Sequence, residues 1–407
     1  MSSLTTEELE QLSSQIQQQL SSTPYACSLL TPIHGGSANF IYRGTLVTPL
    51  ASGGNKDSNE VCLSDGATPE LYKTVIVKHT AGFLSVSRDF KIDVSRCLFE
   101  ETMLYALESF PAAHSPTTQT TTVIKTPRLY HFDRTTNTQI HQDFPNALDM
   151  KTLLLSDTPL SHDTARSIGH DLGVWLRAFH DWTAAPGQEH LCDEIAANTP
   201  MRQLKYDVTY GSKGFFDVLL TRCPDLLEGG VGEMLLAAGK VVEEEFKGNH
   251  FADVKDAWGV LHGDFWTGNV LLPNQTPRPA TTPTPTDLVV IDWELAHVGH
   301  RSADIGQFIG DLYERYHYKG VSAALPAIEG FTAGYGAMSH HLAHRTAMYA
   351  GVHVITWARR GAPVADTEET MWEGMRMGRN LVHRGYMRDR EWFLREGGVF
   401  GCLFRPF

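Results

Sequence analysis

Two short segments carry polar side chains at offsets suited to moving a phosphoryl group. His262-Gly263-Asp264-Phe265-Trp266-Thr267-Gly268-Asn269 precedes the apolar run Val270-Leu271-Leu272, and a second apolar run, Leu288-Val289-Val290-Ile291, leads straight into Asp292-Trp293-Glu294. Phosphoryl transfer from a nucleotide asks for a carboxylate that accepts the proton of the attacking hydroxyl. It also asks for an amide oxygen and a second carboxylate to hold the Mg2+ that screens the phosphates. Asp264, Asn269 and Asp292 can fill those roles in that order. A buried strand ending at Asp292 would deliver its carboxylate on rigid backbone. Either segment alone reads equally well as a turn cap or a strand end. Both together, in this order and each beside its own apolar strand, point to a site.

The same chemistry asks for a Gly-containing turn over the phosphates, a lysine on a strand and a glutamate on a helix to orient it. The first third of the chain has all three in sequence. Gly35-Gly36-Ser37-Ala38-Asn39 precedes a strand-like Phe40–Arg43, where small residues let backbone N–H groups approach phosphate oxygens. Lys78 ends the β-type run Val75-Ile76-Val77, and Glu100 lies on a predicted helix over Arg96–Leu107, with Glu101 as the competing partner for the lysine.

Elements able to position these residues follow from periodicity. Thr5 and Glu8 make a capping-box pattern ahead of Leu9, Leu12, Ile16 and Leu20 at helical spacing. Short β-rich runs occupy Ser28–Val47 and Thr74–Lys78, separated by a polar loop over Ala51–Pro69. The Arg96–Leu107 helix places Leu98, Phe99, Met103 and Leu107 on roughly one face, and a Thr-rich stretch, Ser115–Thr122, leads to further strand-like sequence ending near Phe144. Beyond Asn146 the character turns helical, for example over Ala165–Trp182, with a hairpin at Val270–Ile291 whose tip is the Pro/Thr-rich Asn274–Asp287. The expected organisation is α+β: residues 1–145 as a β-rich lobe with the Gly turn, Lys strand and Glu helix, and 146–407 as a mostly helical lobe with the catalytic loop and acceptor pocket.

The segments HGDFWTGNVLL and VVIDWELAHVGHRSADIGQF, with GGSANFIYR and VIVKH upstream, resemble the aminoglycoside phosphotransferase and choline kinase family of protein-kinase-like small-molecule kinases. Through DFKIDVSRCLFE, Met150–Leu154 and DWEL followed by Asp304-Ile305-Gly306, the likeness is nearest to methylthioribose kinase and fungal 4-hydroxytryptamine kinase. The resemblance implies a two-lobed kinase-like fold, ATP and Mg2+ as cofactors, and transfer of the γ-phosphoryl group to a hydroxyl of a small molecule: an amino alcohol, a hydroxylated aromatic amine or a sugar. By motif matching it makes Asp264 the catalytic base and Asn269 and Asp292 the Mg2+ ligands. Gly35, Gly36, Ser37, Asn39, Lys78 and Glu100 become the phosphate cradle, and Gln142, Asp143 and Phe144 part of an adenine-contacting linker. Asp304 becomes a buttress of the catalytic loop. Gly263 stands where many protein kinases carry an arginine that pairs with a phosphorylated activation loop, and no such loop fits before Asp304. This implies activity without phosphorylation and a small-molecule acceptor. The alternative reading is a pseudokinase that binds nucleotide without turnover, against which the retained Lys78, Asp264, Asn269 and Asp292 speak.

With 34 Lys plus Arg against 47 Asp plus Glu, the net charge of −13 disfavours a general nucleic-acid or anionic-membrane binder, which needs clustered cations. The six cysteines form no CxxC pair, Met1–Leu20 lacks a signal-peptide pattern and no run spans a bilayer, so a cytoplasmic protein is expected. Four weaker signals remain. His340 and His344 sit four apart but want a third metal ligand, Arg359-Arg360 could meet a sugar or end a helix, and Tyr313, Tyr316, Tyr318 and Trp357 could wall an acceptor pocket or pack a core. Glu294 could touch metal or acceptor.

Overall fold

Thr5 and Glu8 do close a capping box, the Glu8 amide donating to Thr5 Oγ1 at 3.2 Å and the Thr5 amide to Glu8 Oε2 at 2.8 Å. It starts α1 (Thr6–Leu20), whose Ile16 and Leu20 are buried. The computed structural model describes residues 3–33, 35–51, 71–111, 122–247, 257–274, 287–357 and 367–405. Most of the two predicted loops, Ala51–Pro69 and Asn274–Asp287, most of the Thr-rich stretch and the Arg359-Arg360 pair lie outside those residues. The chain divides into two compact units, Met1–Glu108 with Pro127–Asn146, and Ser109–Thr126 with Ala147–Phe407.

In the first unit, α1 is followed by β1 (Cys27–Pro32), β2 (Phe40–Ala51), β3 (Leu71–His79), the small β4 (Phe83–Leu84) and β5 (Ser87–Lys91), and α2 (Arg96–Leu107). After β6 (Val123–Lys125), which belongs to the second unit, come β7 (Leu129–Asp133) and β8 (Thr138–Gln142). Five strands form one antiparallel sheet in the order β1-β2-β3-β8-β7. Alternation along β3 sends Val75 and Val77, both fully buried, into a core with Ile16, Leu20, Tyr42 and Ile140. Lys78 emerges on the opposite face.

The second unit contains β9 (Ala147–Asp149), α3 (Met150–Leu154), α4 (His162–Thr183), α5 (Glu189–Ala196), α6 (Thr199–Thr209), α7 (Phe215–Arg222) and α8 (Val231–Lys247). Then follow β10 (Trp258–Leu261), β11 (Val270–Pro273), β12 (Asp287–Val290), β13 (His297–His300), α9 (Ser302–Lys319), α10 (Ala324–Tyr335), α11 (His340–Trp357), α12 (Glu368–Tyr386) and α13 (Arg390–Arg395). The predicted hairpin is β11 antiparallel to β12, within a sheet of order β6-β12-β11-β9. The separate ribbon β10–β13, invisible to periodicity, brackets the segment that carries Asp264, Asn269 and Asp292. Helices α4 and α10 meet through glycines. A Cβ on Gly173 would lie 2.1 Å from the Phe331 carbonyl oxygen, and one on Gly334 would lie 2.0 Å from that of His170. Around this seam Trp175, Phe179, Phe265, Phe308 and Phe331 fill the core.

Cys27, Cys97, Cys192, Cys223 and Cys402 are thiols, and Cys62 lies outside the described residues. No helix among the described residues is long and apolar enough to cross a membrane.

Candidate active site

In the first unit, Lys78 Nζ sits 2.7 Å from Glu100 Oε2 and 2.8 Å from Oε1, both side chains buried. Glu101 takes a different partner, Arg134, whose Nη2 lies 2.8 Å from its Oε2. The helix is therefore rotated from the purely apolar reading: Leu98 is 42% exposed, and the buried face carries Arg96 and Glu100 with Cys97, Met103, Leu104 and Leu107. The reason is polar. Arg96, fully buried, donates to the carbonyls of Ala38 (3.1 Å), Ala81 (3.1 Å) and Asp93 (2.7 Å) and to Asn39 Oδ1 (3.0 Å). Arg96 and Glu100, one turn apart, thus face the Gly turn and the strand lysine respectively.

Within that turn Gly35 has φ 131°, a conformation that favours glycine, and the Ser37 carbonyl accepts from Ser85 Oγ at 2.9 Å. Asn39 is buried, and its Oδ1 accepts from Arg96 and from Thr80 Oγ1 at 3.0 Å, so this side chain shapes the turn from inside. At the end of β8, the Gln142 amide donates to the Arg128 carbonyl at 2.8 Å, and Asp143 is gripped bidentately by Arg43 at 2.8 and 3.1 Å. Phe144 is half-buried.

In the second unit, the chain leaves β10 at Leu261 and makes a tight turn before β11. Gly263 has φ 80°, and a Cβ there would lie 2.0 Å from the Leu295 carbonyl oxygen, so backbone crowding dictates glycine at this point. One face of α9 then runs along the loop. Asp304 accepts from the amides of His262 (2.8 Å) and Gly263 (3.0 Å), and Gln307 Nε2 donates to Asp264 Oδ1 at 2.7 Å. Asp311 accepts from the Thr267 hydroxyl and, at 3.3 Å, from its amide. The spacing 304, 307, 311 is helical, so three buried polar groups read successive residues of the loop.

His262 binds the two motifs together. Its Nδ1 accepts from the Asp264 amide at 3.2 Å and its Nε2 donates to the Ile291 carbonyl at 3.0 Å, while the Ile291 amide donates to the Asn269 carbonyl at 3.0 Å. These contacts set the tautomer, and burial pushes the ring's pKa down. Asn269 Nδ2 donates to the Asp264 carbonyl at 2.9 Å, which leaves its amide oxygen as the remaining donor atom for a cation. Asp292 has φ 70° and ψ 65°, a left-handed backbone that residues other than glycine seldom adopt and that concentrates at functional sites when they do. Next to it the fully buried Trp293 ring lies 4.4 Å from that of His262 and 6.2 Å from that of Trp175.

Burial opposes ionisation of Asp264, but the Lys205 ammonium and the Gln307 amide outweigh it and hold the carboxyl below its usual range. Asp304 is likewise held low, burial being outweighed by His180, whose Nε2 lies 3.2 Å from its Oδ2.

The weaker signals resolve differently. His344 is buried against Phe404, ring centroids 4.7 Å apart, while His340 is exposed, so the pair forms no metal site. Tyr313 and Tyr318 are buried in the core and Tyr316 is 39% exposed. Trp357 instead packs on Trp266, two residues after Asp264, at 6.1 Å. Glu294 is fully buried. Sequence reasoning missed Lys205, Arg96 and Gln307; of these, only Gln307 left a signal, one turn after Asp304.

The model of the phosphotransferase enzyme family matches residues 125–341, more than half of the chain. The protein belongs to this family. It is thereby a transferase, a small-molecule kinase, with an α+β architecture of one β-rich unit and one mostly helical unit. It is 28% identical to "Phosphotransferase FrzJ" of Cladobotryum sp, over 98% of each chain. It is 25% identical to the "4-hydroxytryptamine kinase" of Psilocybe cubensis, over 70% of this chain and 74% of that one. Among solved structures, the microcompartment-associated aminopropanol kinase aligns over 95% of this chain and 98% of its own, with 12% identity and a TM-score of 0.45.

Proposed function

We propose that the protein transfers the γ-phosphoryl group of ATP, with Mg2+, to a hydroxyl of a small molecule. The observation that carries this reading is the loop assembly in which Asp264, Asn269 and Asp292 are fixed by His262, Asp304 and paired strands. Asp264 is the base that takes the acceptor proton, and its ionised state suits that task. The amide oxygen of Asn269 and the carboxylate of Asp292 are hard oxygen donors, the set that suits Mg2+, and the ion neutralises phosphate charge when bound. Lys78, its ammonium held by Glu100, meets phosphate oxygens. The Gly35–Asn39 turn supplies backbone N–H groups, and the backbone at Gln142–Phe144 serves adenine, since the Asp143 side chain is committed to Arg43.

Among acceptors, the candidate classes are an amino alcohol, a hydroxylated aromatic amine and a sugar. The names of the Psilocybe relatives and the pair Trp266–Trp357 two residues beyond the base favour the hydroxylated aromatic amine. The test is ADP release across amino alcohols, hydroxyindoles, sugars and aminoglycosides, with 31P NMR of the product. Nucleotide binding without any ADP release would favour the pseudokinase reading instead.

A further inference from the structure

Helix α6 contributes one side chain to the catalytic loop, and no motif announces it. Lys205 Nζ lies 3.3 Å from Asp264 Oδ1 and 2.9 Å from Gln307 Oε1, while Gln307 Nε2 donates to the same Asp264 Oδ1 at 2.7 Å. The three side chains form a closed triangle, with the Lys205 and Asp264 side chains only 14% and 22% exposed. Both donors converge on Oδ1. Oδ2 is approached, among the described residues, by Asn269 Nδ2 at 3.4 Å, too long for a strong bond.

Lys205 also lines a cavity of about 90 Å3 with Arg202, Tyr206, Phe246, His297 and Arg345. Its ammonium is held toward Asp264 by charge and hydrogen bonding. A part-buried ion pair is weak evidence for stability, because desolvation offsets much of the attraction. Its consequence is orientation: a carboxylate with one oxygen fixed by two donors cannot rotate.

We propose that Lys205 is a positioning residue of phosphoryl transfer: with Gln307 it pins Oδ1 of Asp264 and so presents Oδ2 to the acceptor hydroxyl. This rests on Asp264 being the base. In the step, the acceptor O–H proton passes to Oδ2 and the acceptor oxygen forms its bond to the γ-phosphorus. The bond from that phosphorus to the β,γ-bridging oxygen breaks, its electron pair leaving with ADP. Lys205 exchanges no proton.

The experiment measures ADP release from Mg·ATP, with 4-hydroxytryptamine as acceptor and with water alone, for wild type, Lys205→Met, Lys205→Arg, Asp264→Asn and the double variant Lys205→Met/Asp264→Asn, alongside melting temperatures. Lys205→Met is expected to lower kcat roughly 10- to 100-fold, the scale of lost orientation, with KM for ATP within about twofold and no loss of melting temperature. Lys205→Arg, which keeps charge and donors, is expected to recover part of that loss. In the Asp264→Asn background the same lysine change should alter the residual rate by less than about twofold, because residues acting as one unit are not additive. A Lys205→Met enzyme within about threefold of wild type, or one that loses a further tenfold without Asp264, overturns the inference and leaves the kinase reading standing. A wild-type protein that releases no ADP with 4-hydroxytryptamine, with water or with any amino alcohol, sugar or aminoglycoside overturns both.

Discussion

The Nε2 of His262 lies 3.0 Å from the carbonyl oxygen of Ile291, so the turn that carries Asp264 is hydrogen-bonded to the residue directly before Asp292. The ring is fully buried, and replacing it strands the Ile291 carbonyl and the Asp264 amide. His262→Leu, which keeps volume and loses both bonds, is expected to cost about 1–3 kcal/mol of stability. It should also raise the Mg2+ concentration needed for half-maximal turnover. Denaturant unfolding and a Mg2+ titration of activity check both; an unchanged Mg2+ dependence would contradict the coupling.

Asp264→Ala removes the proposed base and leaves the proposed nucleotide-holding groups in place. Turnover should fall roughly 10²- to 10⁴-fold, the range ascribed to general-base catalysis, while ATP affinity measured calorimetrically stays close to wild type. Asp292→Ala should show the complementary pattern, weakening nucleotide binding in the presence of Mg2+ much more than in its absence.

Gly263 admits no side chain, since its φ of 80° disfavours one and a Cβ would stand 2.0 Å from the Leu295 carbonyl oxygen. Gly263→Ala is expected to destabilise the fold by about 3 kcal/mol or more, as large effects of strain at special backbone positions do. A thermal melt within one degree of wild type would refute this account of the glycine.

Lys78→Met leaves the Glu100 carboxylate buried without its cation, a change that costs about 3–5 kcal/mol in comparable buried pairs. Glu100→Gln keeps shape and removes charge, so its expected signature is a raised KM for ATP with a milder loss of stability. Urea unfolding and ATP-dependence curves on the two variants separate the outcomes.

Acid should unfold the protein through its histidines first. His297 and His344 are pushed down to about 4 by burial, and burial also lowers His180, His262 and His300. Between about 6.5 and about 4 the unfolded chain binds protons that the folded chain refuses, so stability is complete above that window and falls as pH drops through it. His297 alone accounts for on the order of 3 kcal/mol by pH 4. Asp264 and Asp304, held low, add a second loss below about pH 4. Melting temperatures that stay flat from pH 7.5 to 4.5 would contradict this.

The sequence revealed those parts of the molecule where chemistry and local pattern coincide. The α1 cap and the Arg96–Leu107 helix depend on neighbours within a few residues, and β11 and β12 each show as a short apolar run. What stayed hidden is polar and distant. Arg96 joins Glu100 on the buried face of α2, where an apolar-moment argument expects Leu98, and Lys205 reaches a loop 59 residues away in the chain. The stripe Asp304, Gln307, Asp311 has helical period, yet no hydrophobicity scale marks it as an inward face. The β10–β13 ribbon escaped because its short strands pair across a segment of some length rather than along a hairpin.

Trp293, sealed beside Asp292 and close to His262 and Trp175, also makes the molecule its own optical probe. Two indoles 6.2 Å apart in a dry, fixed environment should couple excitonically, giving near-ultraviolet circular dichroism that vanishes on unfolding. Since Trp293 shares backbone with Asp292, a cation drawn to that carboxylate should register in its emission, without label, coupled assay or knowledge of the acceptor.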